Sequence, residues 1–91
     1  MKFIMRNAFV AVSDDNKVTA RISYKTMTLM WGKKEFLFDI EYLGGGNKFR
    51  VYSPSSIKPL AALGMTNEDD VRDLVVDIFT ALKSECVYET V

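Results

Sequence analysis

Apolar and polar residues alternate along most of the first 53 positions, and the period then changes to that of a helix. Residues 2–12 predict a strand with Phe3, Met5, Phe9 and Ala11 on one face. Ser13-Asp14-Asp15-Asn16-Lys17 has the composition of a turn. Residues 18–31 predict one long second strand, with Val18, Ala20, Ile22 and Tyr24 on one face and Thr19, Arg21, Ser23 and Lys25 on the other. Gly32-Lys33-Lys34 turns the chain. Residues 35–43 alternate again, with Phe36, Phe38, Ile40 and Tyr42 against Glu35, Leu37, Asp39 and Glu41. Gly44-Gly45-Gly46-Asn47 is a loop, and Lys48–Ser53 a short fourth strand with Phe49 and Val51 inward.

Ser53-Pro54-Ser55-Ser56 ends the sheet pattern. Residues 56–63 predict a short helix, with Pro59 in its first turn and Gly64 as its stop. Thr66 is the expected N-cap of a longer helix over 67–84, with Asp69 completing a carboxylate version of the capping box. Val71, Leu74, Val75, Ile78 and Leu82 recur at helical spacing with Phe79 beside them, which makes one wide apolar stripe.

A sheet with one apolar face and a helix with one apolar stripe must cover each other. The expected fold is therefore a single α+β domain over 1–91, in two layers. A four-stranded antiparallel meander is covered on one face by a long C-terminal helix, with a short helix or turn between. Thr26 and Thr28 fit this poorly, because strict alternation puts them on the helix side; a bulge near 25–27 would relieve it.

Centring the two hairpin loops gives a register in which residue 31 faces 35, 25 faces 41, and 41 faces 50. Glu41 then lies between Lys25 and Arg50 on the outer face, a cross-strand arrangement of opposite charges. The same register places Met27, Leu29, Trp31 and Leu37 together on that outer face, with Ile4, Val10 and Val12. An open sheet face is normally polar, so an apolar cluster with the only tryptophan points to an interface. Two other arrangements compete: residues 54–65 could fold back over the cluster, or a bulge could turn Met27, Leu29 and Trp31 inward.

Charge changes the picture in one respect. The chain is neutral, yet residues 1–60 carry ten basic and five acidic side chains while residues 61–91 carry two basic and seven acidic. A basic sheet with Arg21, Lys25, Lys48, Arg50 and Tyr52 is the raw material of a single-stranded nucleic-acid platform, where cations track phosphates and aromatics stack bases. Glu35, Asp39 and Glu41 in its midst favour the plainer account, a solvated face whose charges pair with one another. On the helix, Asp69, Asp70, Asp73 and Asp77 form an acidic surface. It could hold a divalent cation or meet a basic partner, although a solvated face whose first turn complements the helix dipole explains most of it.

Other chemistry is sparse. Histidine is absent, which removes Ser-His-Asp and Cys-His catalysis, and a structural zinc site has too few ligands. Cys86 is the only cysteine, so no internal disulfide forms, and it reads as a small buried residue past the helix. The triple glycine precedes a strand rather than a helix, so it lacks the helix N-terminus of a phosphate-binding loop. Tyr24, Tyr42, Tyr52 and Tyr88 have no legible catalytic partner. The N-terminal MKFIMRNAFVAV is interrupted by Arg6 and Asn7 and reads as a strand rather than a leader. No segment approaches the roughly 20 apolar residues that cross a bilayer.

The expectation is thus a cytoplasmic, non-enzymatic binding protein that needs no cofactor or metal. It would be an inhibitor or adaptor of the kind phages and mobile elements encode. It would engage a protein partner, or itself as a dimer, through Met27, Leu29, Trp31 and Leu37 with Lys33, Lys34 and Arg21 as rim. Single-stranded nucleic-acid binding by Arg21, Lys25, Lys48, Arg50 and Tyr52 is the alternative. A carboxylate-dependent Mg²⁺ enzyme on the helix face is the remote third.

Overall fold

The computed structural model describes residues 1–90. Seven strands, rather than four, form one sheet in sequence order: β1 Phe3–Asn7, β2 Val10–Ser13, β3 Val18–Ile22, β4 Thr26–Trp31, β5 Lys34–Gly44, β6 Lys48–Tyr52 and β7 Glu85–Glu89. Neighbours are antiparallel except β6 and β7, which run parallel. Between those two lie a 3-10 helix, Lys58–Leu63, and a long helix, α1 Glu68–Ala81. The sheet curls through 193° into a half-barrel. The flat four-stranded, two-layer sheet expected from the sequence is therefore incorrect, and the long helix is followed by a strand instead of ending the chain.

Each extra strand has a local cause. The expected strand 2–12 breaks at Asn7-Ala8-Phe9, where Asn7 Oδ1 accepts the Phe9 N–H at 2.8 Å. The expected strand 18–31 breaks at Ser23-Tyr24-Lys25. There Ser23 N donates to Thr26 O at 2.8 Å and the two hydroxyls lie 2.6 Å apart. That turn reverses the chain, so β3 and β4 are a hairpin. At the next turn Trp31 pairs with Lys34, leaving the two-residue loop Gly32-Lys33 with Gly32 at φ +58°, the first-position glycine of a type II′ turn. A third residue in that loop would have set the expected register. The one-residue difference flips every side chain of β4 to the other face.

Met27, Leu29 and Trp31 consequently point into the concave side, while Thr26 and Thr28 point out. Met27 and Leu29 are 0% exposed. They join Val18, Ala20, Ile22, Phe38, Ile40 and Val51 in a single core against Val71, Leu74, Val75, Ile78 and Phe79 of α1. The helix sits inside the curl and touches both edge strands, β1 and β7. Register shifts at Met5/Asn7 and Tyr42/Gly44 supply bulges, which bend strands and raise their twist.

The start of α1 is offset by one residue from the expectation. Asn67 is the N-cap and accepts from Asp70 N at 2.9 Å; the Asp70 carboxylate reaches back to Thr66 N and Oγ1, both at 3.0 Å. At the far end Lys83 adopts φ +57°, with Lys83 N on Thr80 O at 3.0 Å and Ser84 N on Phe79 O at 2.8 Å. That is a Schellman closure with lysine where glycine is usual. It redirects the chain so that Glu85–Glu89 runs alongside β6.

Candidate functional site

In a meander, alternate turns collect at one end of the sheet. One end of this half-barrel gathers the β1–β2, β3–β4 and β5–β6 connections. They carry Phe9, Tyr24 and Asn47, and Tyr42 lies near the end of β5. These aromatics are far more exposed than their size warrants: Tyr24 is 83%, Phe9 64% and Tyr42 52% exposed. With Ile22, Ser23, Asn47 and half-buried Phe49 they line a groove of about 540 Å³. A second groove of about 420 Å³ shares Tyr24 and Tyr42 and continues to Lys25, Ile40, Glu41 and Tyr52.

The rim is held by backbone hydrogen bonds rather than by loose loops. Phe9 O accepts from Ile22 N at 2.8 Å, the Ser23–Thr26 turn supports Tyr24, and Asn47 O accepts from Glu85 N at 2.9 Å. Behind it, the Tyr42 and Phe49 rings are 5.3 Å apart and Phe49 lies 5.2 Å from Phe79, so an aromatic ladder runs from the rim to the buried face of α1. Such pairs are each worth about 1 kcal/mol beyond the area they bury. Lys25 Nζ lies 5.9 Å from the Tyr24 ring centroid. Lys25, Lys48 and Lys83 are exposed at this end and make no ion pair among the described residues.

The residues expected to bind a partner are scattered by the fold. Met27 and Leu29 are sealed in the core, and Trp31 is half-buried beside them with its Nε1 enclosed. Leu37 and Arg21 are exposed on the convex face, and Lys33 and Lys34 lie at the β4–β5 turn at the opposite end from the aromatic rim. The apolar cluster on the outer face therefore does not exist as such. Nor do residues 54–65 cover that face, since Leu60 is buried in the core and Ile57, Leu63 and Met65 pack against it.

The nucleic-acid set is also divided. Glu41 faces Arg50 as the centred glycine loop predicts, and Arg50 Nη1 lies 3.0 Å from Glu41 Oε1. Arg50 Nε is 3.1 Å from Glu89 Oε1, and Tyr52 donates to Glu41 Oε1 at 3.3 Å. Two carboxylates thus surround the central cation, and Tyr52 foremost, then Glu89, hold its pKa above the ordinary value. Lys25 pairs with no carboxylate; it sits at a turn, and Lys48 and Arg21 lie on separate strands.

On α1, Asp70 caps Thr66, Asp69 pairs with Arg72 at 3.0 Å, and Asp77 lies 3.5 Å from the Met1 amine. The hydrogen bonds from Thr66 hold the Asp70 carboxyl below its usual range. Among the described residues no three His, Cys, Asp or Glu side chains come together as metal ligands. Cys86 is half-buried on the inner side of β7, and burial pushes its thiol up. Among the described residues no helix is long and apolar enough to cross a membrane.

Sequence reasoning missed the aromatic rim. Phe9, Tyr24 and Tyr42 were expected on the helix-covered face because each falls in phase with its neighbours. The available signal was the polar trio Ser23, Lys25 and Thr26 around Tyr24, which suits a turn. Compared with family models, with curated proteins and with solved structures, the chain matches none.

Proposed function

We propose that this protein acts by binding another protein, as a small inhibitor or adaptor without catalysis of its own, and that the aromatic rim is its docking surface. The observation that carries the reading is the exposure of Phe9, Tyr24 and Tyr42 around one apolar groove at one end of the sheet. Large rigid aromatics in a concave surface are what interface hot spots are made of, because they bury much area at little entropic cost. Exposing them to water has no folding benefit. Lys25, Lys48 and Lys83 around the groove favour a partner that offers an apolar or aromatic side chain flanked by acidic residues. One half-buried free thiol and no disulfide suit a reducing cytoplasm.

The test compares the wild type with a Phe9→Ser, Tyr24→Ala, Tyr42→Ala variant as bait in extracts of the source cell, with circular dichroism to verify folding. A partner retained by the wild type and lost by the folded variant supports the reading. Two outcomes overturn it. One is equal retention by both proteins. The other is no retained protein, together with oligonucleotide binding that falls steeply with salt and disappears in the variant; that result assigns the rim to nucleic acid.

A further inference from the structure

A sheet that stops at a half-barrel keeps two lips. Here they are β1 and β7, the first and last strands of the seven, and among the described residues no strand pairs beyond either. An unpaired strand edge is a template for further pairing, so what each edge presents decides what it can meet.

Backbone directions follow from the pairing already made. Asp14 N donates to Lys2 O at 2.9 Å, so Lys2 and, two residues on, Ile4 aim their backbone groups at β2. Phe3 and Met5 aim theirs outward, because these directions alternate along a strand. On the other lip Glu85 N donates to Asn47 O at 2.9 Å and Glu89 O accepts from Ser53 N at 2.8 Å. Glu85, Val87 and Glu89 are therefore committed to β6, and Cys86 and Tyr88 face outward. The backbone groups of Phe3, Met5, Cys86 and Tyr88 have no other partner among the described residues.

Side chains alternate in step. Phe3 lies in the core, and Cys86 and Tyr88 pack against it. Between them, Lys2, Ile4 and Arg6 are exposed on one lip, and Glu85, Val87 and Glu89 on the other. One edge thus reads basic, apolar, basic, and the other acidic, apolar, acidic. Lys2, Arg6 and Glu85 make no ion pair among the described residues, and Glu89 engages Arg50 through Oε1. Ile4 is 58% and Val87 39% exposed.

We propose that these edges bind each other between copies of this chain, with β1 of one copy antiparallel to β7 of the next. One register satisfies backbone and side chains together. Met5 opposite Cys86 and Phe3 opposite Tyr88 are then the hydrogen-bonded pairs, each exchanging both N–H···O bonds. The same alignment sets Arg6 opposite Glu85, Ile4 opposite Val87 and Lys2 opposite Glu89, which are attractive cross-strand pairs. Like edges in full overlap repel: β1 on β1 sets Lys2 against Arg6, and β7 on β7 sets Glu85 against Glu89. Each copy therefore contributes a different edge, a heterologous contact that carries the curled sheet from one copy into the next.

The test is sedimentation velocity of the full-length protein over a concentration series reaching the millimolar range. The expected result is a mass above the monomer that rises with concentration. Arg6→Glu alone and Glu85→Lys alone should each weaken association by roughly tenfold, and the chain carrying both should recover it. Both positions are exposed, and circular dichroism verifies the fold. Register is read separately. A hydrogen-bonded antiparallel pair holds its Cα atoms about 5.5 Å apart, within disulfide reach. Met5→Cys under mild oxidation should therefore give a linked dimer whose bridge joins position 5 to Cys86, and adding Cys86→Ser should remove it. The proposal is overturned by a monomer at every concentration, by charge reversal without effect, by no recovery in the double variant, or by absence of that bridge. The Phe9→Ser, Tyr24→Ala, Tyr42→Ala variant should associate as the wild type does. Loss of association there would move the contact to the rim and overturn the proposal, so the two readings fail separately.

Discussion

The Tyr88 hydroxyl donates to Glu68 Oε2 at 2.9 Å, joining the last strand to the first turn of the helix that precedes it. Twenty residues separate the two. The contact closes the β6–α1–β7 crossover across its inner surface, and burial followed by the Glu68 contact pushes the Tyr88 phenol up. Tyr88→Phe keeps the ring and removes the donor, leaving Glu68 with one partner fewer. The expected loss is about 1 kcal/mol of unfolding free energy, read as a lower urea midpoint with unchanged slope. An unchanged midpoint would show the bond to be incidental.

Leu29 tests the orientation of β4. Facing the helix at 0% exposure, it is replaced by serine only at the cost of a cavity and a buried hydroxyl. Leu29→Ser should destabilise by about 4 kcal/mol, a large share of a small domain's stability. If the side chain instead faced outward, the same change would leave the melting temperature almost where it was. Thermal unfolding of this one variant decides between the two faces.

Lys83 offers the opposite sign. At φ +57° it occupies the left-handed region that glycine accepts without a Cβ penalty. Lys83→Gly should raise stability by about 0.5 kcal/mol, after allowance for the larger unfolded-state entropy of glycine. In a domain of this size that is roughly a 3 °C increase in Tm. A decrease would mean that the lysine side chain contributes more than its backbone costs.

Asp70 gives a pH dependence. Its carboxyl is held below the usual carboxylate range, first by the Thr66 N–H and then by the Thr66 hydroxyl. A lowered folded-state pKa means that the folded chain binds this proton less tightly than the unfolded chain. The contribution is therefore present above the unfolded value and lost as pH falls through the folded one. Asp70→Asn should be less stable than the wild type at neutral pH, and the gap should narrow below about pH 4. Urea unfolding at neutral pH and at about pH 2 checks this; a gap that is constant with pH would remove the carboxylate charge from the explanation.

Parts of the molecule were legible in local pattern. The stripe of Val71, Leu74, Val75 and Ile78 marks α1 because one turn of helix follows from the next. The glycine loop places Glu41 opposite Arg50 because it can be centred with little ambiguity. The aromatic rim was not legible. Tyr24 stands in a turn that contains neither glycine nor proline, and Phe9 in another that breaks an otherwise alternating run.

By itself, then, the sequence determined where chain segments alternate and where a helix must run, both of which are fixed by interactions a few residues apart; its caps fell elsewhere, on Asn67 and Lys83. The tertiary structure decided how many strands there are, which face of β4 is buried, and that Glu85–Glu89 returns beside β6 to complete a curled sheet around α1. Those are non-local choices: alternation has a period of two, so a turn shifted by one residue exchanges inside for outside. Only the packed core of Met27, Leu29 and Phe38 against the helix selects between the two registers.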